Sequence, residues 1–395
     1  MRRSARFLPL LPLLALAVTL AGEAAPRARA LGVPFGGEPG PLNAITDVAG
    51  VAVGHETIIR DLDDGRAVRT GVTAILPRGA DTLAQPVLAG LFSLNGNGEL
   101  TGSHWIREAG VLSGPVLLTN THSVGAVHDG AIRWRVAQPG ADPDGYWWSL
   151  PVVAETWDGY LNDINGLHVT AAHAASAIEA AAPGPVAEGN VGGGTGMICH
   201  EFKGGIGTAS RVVSAAGRAY TVGVLVQANY GRRDTLTIAG VPVGRHLREG
   251  QVYSEAAPLE ETGSIIVTIA TDAPLLPRHL ERLARRAALG LARVGSYAGN
   301  GSGDIMLAFS TAAYAAPGDP ERWQLQSLAP AAQTPLFLAT VQATEEAIVN
   351  ALVAAEDMQG NGGHRVQALD HDALRALLRR YNRLPDVPPA RKDAP

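Results

Sequence analysis

Short runs of Val, Ile, Leu and Ala, closed off by glycines and other turn residues, alternate along this chain with longer segments whose apolar residues recur at helical spacing. A chain with both periods is predicted to fold as mixed α and β. Segments 115–118, 219–226, 264–270 and 305–309 are short, β-favouring and turn-bounded, and are predicted as strands. Segment 169–182 is Ala-rich, segment 276–294 starts beyond Pro274 and Pro277, and segment 335–355 carries Leu336, Ala339, Ala343 and Ala347 at helical spacing. These three are predicted as helices. With 395 residues, 46% of them hydrophobic, the chain can fill the core of one large domain or two small ones. It shows no internal repeat and no long linker. The Pro-rich ends, up to about Gly40 and from Leu384 onward, are expected to be poorly ordered.

The first thirty residues have a different logic. Arg2, Arg3 and Arg6 precede an uncharged apolar run from Phe7 to Leu20, and Ala-rich positions follow. That is the layout of a secretory leader, with candidate cuts after Ala24, Ala25 or Ala30. The run is shorter than the roughly 20 residues of a spanning helix and contains Pro9 and Pro12. Nothing later is expected to be long and apolar enough to span a bilayer, so the mature protein is expected to be exported and soluble. The net charge of −5 and the dispersed basic residues, apart from Arg278, Arg282, Arg285 and Arg286 on one predicted helix, argue against a nucleic-acid or lipid surface. The one cysteine, Cys199, excludes an intramolecular disulfide framework and reads as a small buried hydrophobe.

Four polar or glycine-rich groups carry the chemistry. The hexapeptide Gly299-Asn300-Gly301-Ser302-Gly303-Asp304 immediately precedes a predicted strand, which places a serine between glycines that leave the flanking carbonyl open to approach, although taken alone the hexapeptide better suits a solvent-exposed turn. Asn190-Val191-Gly192-Gly193-Gly194-Thr195-Gly196, followed by Phe202-Lys203-Gly204-Gly205-Ile206-Gly207, invites a nucleotide-loop reading. It lacks the Gly-Lys-Ser/Thr of a P-loop, and no acidic residue between Phe202 and Arg233 completes a dinucleotide fingerprint. Close approach of backbone to backbone or to substrate is the better use of those glycines. Asn229, in Val226-Gln227-Ala228-Asn229-Tyr230-Gly231 at a predicted strand end, can offer a side-chain N–H to an oxyanion, and equally suits a turn. The fourth group runs from Glu155 through Trp157, Asp158 and Tyr160 to Asn165, and also suits a helix-capping loop. Scattered histidines give no metal pattern, and Gly301-Ser302-Gly303 lacks the spacing of a hydrolase nucleophile elbow.

Taken in order, these groups resemble the DmpA family of self-processing aminopeptidases, which includes β-aminopeptidases and L-aminopeptidase/D-esterases. The resemblance extends to Asn43-Ala44-Ile45-Thr46-Asp47, Leu94-Asn95-Gly96-Asn97-Gly98-Glu99, Thr119-Asn120-Thr121 and Ala343-Thr344-Glu345-Glu346-Ala347-Ile348. It implies a four-layer αββα sandwich, shared with ornithine acetyltransferases. It also implies a cut between Gly301 and Ser302, giving a large fragment 31–301 and a small fragment 302–395 that form one catalytic domain after leader 1–30 is lost. Ser302 would then be the nucleophile and its freed α-amine, whose reference pKa is about 7.7–8.0, the base. By the same resemblance Asn229 is the oxyanion donor, Trp157 or Tyr160 the site aromatic, and Glu345 or Glu346 the site carboxylate. Where the family commonly has a second serine, this chain offers Thr344. The implied substrates are short peptides, amides or esters with a free amino end, handled without metal or organic cofactor by a homo-oligomer, up to a tetramer. Two rivals are an ornithine acetyltransferase, against which the serine and the leader both count, and an exported anion-binding protein.

Overall fold

The computed structural model describes residues 26–83, 85–138, 144–253, 262–312 and 326–384. In chain order its strands are β1 (Ala52–Asp61), β2 (Ala67–Leu76), β3 (Val87–Gly96), β4 (Val111–Leu112), β5 (Val116–Asn120), β6 (Val152–Thr156), the small hairpin β7 (Ile198–Cys199) and β8 (Phe202–Lys203), then β9 (Gly205–Ala215), β10 (Arg218–Asn229), β11 (Thr262–Thr271) and β12 (Gly301–Ser310). The helices include α1 (Ser103–Ala109), α2 (Val124–Val136), α3 (Ala171–Glu179), α4 (Val243–His246), α5 (Pro277–Val294) and α6 (Thr334–Val353). One sheet has the order β1-β2-β5-β6 and the other β4-β3-β12-β11-β10-β9. Neighbours are antiparallel except β5 with β6 and β11 with β12. Each segment predicted as a strand or helix overlaps one of these elements, with 169–182 overrunning both ends of α3 and 335–355 overrunning the end of α6.

Alternation along the strands builds the layers. Ile305, Leu307 and Phe309 of β12 meet Ile75, Leu118 and Ala154 of the other sheet, so one core lies between the sheets. Met306 and Ala308 point the other way, into a core shared with Leu283 and Leu291 of α5 and Ala347 and Ala351 of α6. On the far side, Ala74, Leu117 and Val153 pack against Val127 of α2 and Ala174 and Ile178 of α3. The result is the four-layer αββα sandwich. Cys199 is buried in the core beneath the six-stranded sheet.

Two expectations are corrected. Residues 26–40 belong to the fold: Ala28 is fully buried with its N–H on Asn350 Oδ1 at 3.0 Å, while Arg27 pairs with Glu188 and Arg29 with Glu346, each at 2.7 Å. Proline and glycine content gave no sign of these polar anchors. By length and composition, moreover, Pro330–Val353 could cross a membrane, but 78% of its apolar window is buried inside the fold. It is the core helix on β9, where a Cβ on Gly207 would stand 2.0 Å from the Ala347 carbonyl oxygen. Only glycine lets helix and strand backbones come that close.

Candidate active site

Strand register gathers the polar groups at one end of the sandwich. Asn229 pairs with Ser264, Gly263 with Ser302, and Gly303 with Gly96, which puts the ends of β10, β11, β12 and β3 side by side. Thr121, just past β5, and Glu155, near the end of β6, occupy the facing end of the second sheet. Between them lies a cavity of about 520 Å³ whose wall includes Asn97, Thr121, Glu155, Trp157, Asn229 and Gly301.

Asn229 is held in one orientation. Its Oδ1 accepts from the Ile198 N–H at 2.8 Å, so the opposite end, Nδ2, carries the donors; it gives one hydrogen to the Trp157 carbonyl at 2.9 Å. An amide nitrogen has a second hydrogen, and Asn229 is on the cavity wall. The segment supplying Ile198 is tied by Lys203, which is fully buried and donates to the carbonyls of Gly194, Met197 and Gly204 at 3.3, 2.9 and 2.9 Å. An ammonium has three donors, so these carbonyls satisfy it. The lysine that disqualified a P-loop is thus the pin of the glycine-rich loop, and it supports the amide one step removed.

Ser302 is fully buried within β12, which starts at Gly301 rather than beyond the hexapeptide. Its hydroxyl donates to Asp304 Oδ1 at 2.7 Å, and its backbone N–H donates to the Gly299 carbonyl at 2.9 Å. Residues two apart on a strand share a face, so the Ser-Gly-Asp spacing makes this contact local. Gly303 between them could not be replaced: a Cβ there would stand 2.3 Å from the Asn97 carbonyl oxygen. It is Gly301, not the serine side chain, that reaches the cavity wall in the continuous chain.

The carboxylate on that wall is Glu155, which sequence reasoning quoted in a motif without giving it a role. It is 3% exposed and accepts from the Glu99 N–H at 3.0 Å and from the Thr121 hydroxyl. Burial raises its pKa, opposed by those two donors. Of the two candidate aromatics, Trp157 lines the cavity. Tyr160 stands behind it, stacked on His364 at 4.2 Å and edge-on to Tyr253, which does line it.

Thr344, Glu345 and Glu346 lie on α6, in the outer helix layer, and are not brought to the cavity. Thr344 packs against Gly290 of α5, and Glu345 pairs with Arg293 at 2.8 Å. Glu346 is fully buried and holds Arg211 at 2.6 Å, Arg29 at 2.7 Å and the Asn43 amide at 2.6 Å. Arg211 is in register with Val222, seven residues along β10 from Asn229, or roughly 23 Å at strand rise. Both carboxylates are therefore committed to arginines away from the cavity, against the expectation of a site carboxylate at Glu345 or Glu346, whereas Glu155 is on the cavity wall.

A glycine-flanked serine opening a central strand, at the mouth between two facing sheets with a fixed amide and a carboxylate opposite, defines a hydrolase of the N-terminal-nucleophile type. The sequence profile of Peptidase family S58 matches residues 43–366, and the chain belongs to that family. A β-peptidyl aminopeptidase, BapA, of Sphingosinicella microcystinivorans is 51% identical over 94% of this chain and 98% of its own length. Among solved structures, the L-aminopeptidase D-Ala-esterase/amidase of Ochrobactrum anthropi, a variant of the Ntn hydrolase fold, superposes with a TM-score of 0.84 at 51% identity, over 91% of this chain and 100% of that one. A β-aminopeptidase of Burkholderia sp. gives 0.81 at 51% identity, over 90% and 98%.

Proposed function

We propose that this peptidase cuts itself between Gly301 and Ser302 and then removes N-terminal residues from short peptides, amides or esters. The observation that carries the reading is the convergence of the Gly301 carbonyl, the oriented Asn229 amide and the Glu155 carboxylate on one cavity. The aminopeptidase names of its relatives agree with it. In the continuous chain the nitrogen of Ser302 is an amide and cannot act as a base. Once freed it is an amine with a reference pKa near working pH, on the same residue as the hydroxyl. The substrate's ammonium pairs with Glu155, which places its first carbonyl carbon before Ser302 Oγ. The amine takes the hydroxyl proton as Oγ attacks, the oxyanion forms against Asn229 Nδ2, and the amine returns the proton to the leaving group. Water then releases the acyl group by the same steps.

The leader expected over residues 1–30 is read as an export signal on the strength of Arg2, Arg3, Arg6 and the apolar run after them, and of its candidate cuts those after Ala24 or Ala25 keep the Arg27, Ala28 and Arg29 contacts. Assembly as a homo-oligomer follows from the family resemblance alone. The purified protein should give two fragments, the smaller with Ser302 as its N-terminal residue by sequencing, whereas Ser302→Ala should stay one chain. A Ser302→Ala protein that still separates at this bond in a protease-free synthesis would overturn the reading.

A further inference from the structure

The continuous chain contains a set of contacts that the turnover chemistry does not use. The Gly301 carbonyl, the group that self-cleavage must attack, accepts a hydrogen bond from Asn97 Nδ2 at 2.8 Å. The neighbouring Asn95 Nδ2 donates to the Gly299 carbonyl at 2.6 Å, the same carbonyl that takes the Ser302 N–H. The hydroxyl that must attack is on Asp304, and both side chains are fully buried. The three polar groups needed for an acyl shift are therefore in place around one peptide bond, and Asn229 is not among them.

We infer that self-cleavage has its own catalytic residues: Asn97 as oxyanion donor and Asp304 as proton acceptor. The inference rests on the self-cleavage proposed above. Ser302 Oγ closes a five-membered ring onto the Gly301 carbonyl carbon while its proton passes to the Asp304 carboxylate. The carbonyl oxygen becomes an oxyanion facing Asn97 Nδ2. The bond from Gly301 C to Ser302 N then breaks, the nitrogen takes the proton back from Asp304, and Gly301 is left as an ester on Ser302 Oγ. Water attacks that ester, giving the Gly301 carboxylate, the Ser302 hydroxyl and the free amine. Both asparagines line the cavity, but in the continuous chain it is Asn97 Nδ2 that holds the Gly301 carbonyl, while Asn229 Nδ2 is on the Trp157 carbonyl, so the oxyanion donors of processing and of turnover are different asparagines.

Geometry favours this division. The β3–β12 ladder breaks register between Asp304 and Ile305, and the break frees the end of β3 to turn Asn95 and Asn97 onto the 299–301 segment. Gly303 lets the Asn97–Gly98 backbone lie directly on the nucleophile strand.

The test is the rate of precursor conversion after cell-free synthesis, followed by intact mass, for the full chain and for Asn97→Ala, Asn97→Asp, Asp304→Asn and Ser302→Ala. Losing one oxyanion donor should slow conversion by about 10²–10³-fold. Asn97→Asp keeps the shape but sets an acceptor against the carbonyl, so it should be at least as slow as Asn97→Ala; a purely structural Asn97 would instead be rescued by Asp. Hydroxylamine, which traps the ester, should speed the normal chain and leave Asp304→Asn slow, since no ester forms there. Thermal midpoints, read on each uncut variant beside uncut Ser302→Ala, separate folding from chemistry. Conversion of folded Asn97→Ala and Asn97→Asp at the normal rate, with Ser302→Ala uncut, would overturn this inference and leave self-cleavage standing. Conversion of Ser302→Ala would overturn both.

Discussion

Replacing Glu155 by Gln tests the proposed pairing of this carboxylate with the substrate's ammonium. The amide is isosteric: its oxygen can still accept from the Glu99 N–H, and the Thr121 hydroxyl can turn from donor to acceptor toward the new NH₂. The fold should survive, and what is lost is one negative charge facing the cavity. A hydrogen bond to a charged group contributes about 1.5–3 kcal/mol, so kcat/KM for an amino-acid amide should fall about 10- to 150-fold. The same amide without its amino group lacks the ammonium and should react with both forms equally slowly. Burial holds the Glu155 carboxyl above its usual range, so the wild-type protein should lose substrate binding on the acid side as this group protonates, and Glu155→Gln should not show that limb. The assay is kcat/KM for the two substrates over a pH series, on protein whose conversion to two fragments has been verified by mass. An unchanged preference for the amine-bearing substrate in fully converted Glu155→Gln would refute the assignment.

Asn229→Asp keeps the acceptor for the Ile198 N–H but removes the donors and sets an acceptor against the Trp157 carbonyl, so kcat should fall by about 10² or more and the thermal midpoint should fall with it; normal kcat in the folded variant would remove Asn229 from the oxyanion site. His200 is fully buried with Nδ1 on the Arg232 carbonyl, and burial lowers its pKa to about 4. The unfolded chain takes up that proton near pH 6.5, so stability is present above 6.5 and declines toward pH 4 by up to about 1.4 kcal/mol per pH unit. His200→Asn, which tolerates the left-handed backbone there, should flatten this slope in urea melts at pH 7 and 5; equal slopes would refute it. A chain starting at Leu31 should be less stable than one starting at Pro26, by about 3 kcal/mol or more, because Glu188 loses Arg27 and stays buried. Equal melting temperatures would show that this segment is not a working part of the fold.

The elements legible in the sequence stand out by an apolar run, β5, β10, β11 and β12, or by small and apolar residues at helical spacing, α3, α5 and α6. β9 did not, because Gly205, Gly207 and Thr208 read as a loop; its glycines answer to α6, which no local window contains. β1 was hidden by its exposed end, Ile59 to Asp61, and β2 by the buried Arg69 and Thr70. The site divides the same way. Ser302 and Asn229 announce themselves by glycines and by a strand end. Glu155, Asn97 and Asp304 lie inside polar or glycine-rich motifs of the sequence, but their roles depend on which strand ends meet, and register is not a local property. The pair Glu345 and Glu346 misled for the opposite reason. Adjacent helical residues point about 100° apart, so at most one could face any given site, and here each finds an arginine instead.

The position of Glu346 also bears on what a cut at Gly301 would do to the fold. It would divide the sheet between β11 and β12, yet β12 lies between β11 of the large fragment and β3, also of the large fragment, and is held on both edges. α6 follows β12 in the small fragment and crosses back over β9. There the Glu346 carboxylate meets Arg29, Asn43 and Arg211, and Asn350 takes the Ala28 N–H and gives its own to the Thr208 carbonyl at 2.9 Å. All of those partners precede residue 301. Separating the fragments would break these ion pairs and hydrogen bonds together and strip α6 from the apolar core it shares with β9 and β10, so the contacts resist separation as a unit. Glu346, expected from its motif to be a catalytic group, would thus be a tie between the two fragments. It would keep Ser302 and Asn229, which would belong to different chains after the cut, in one sheet, on strands separated only by β11.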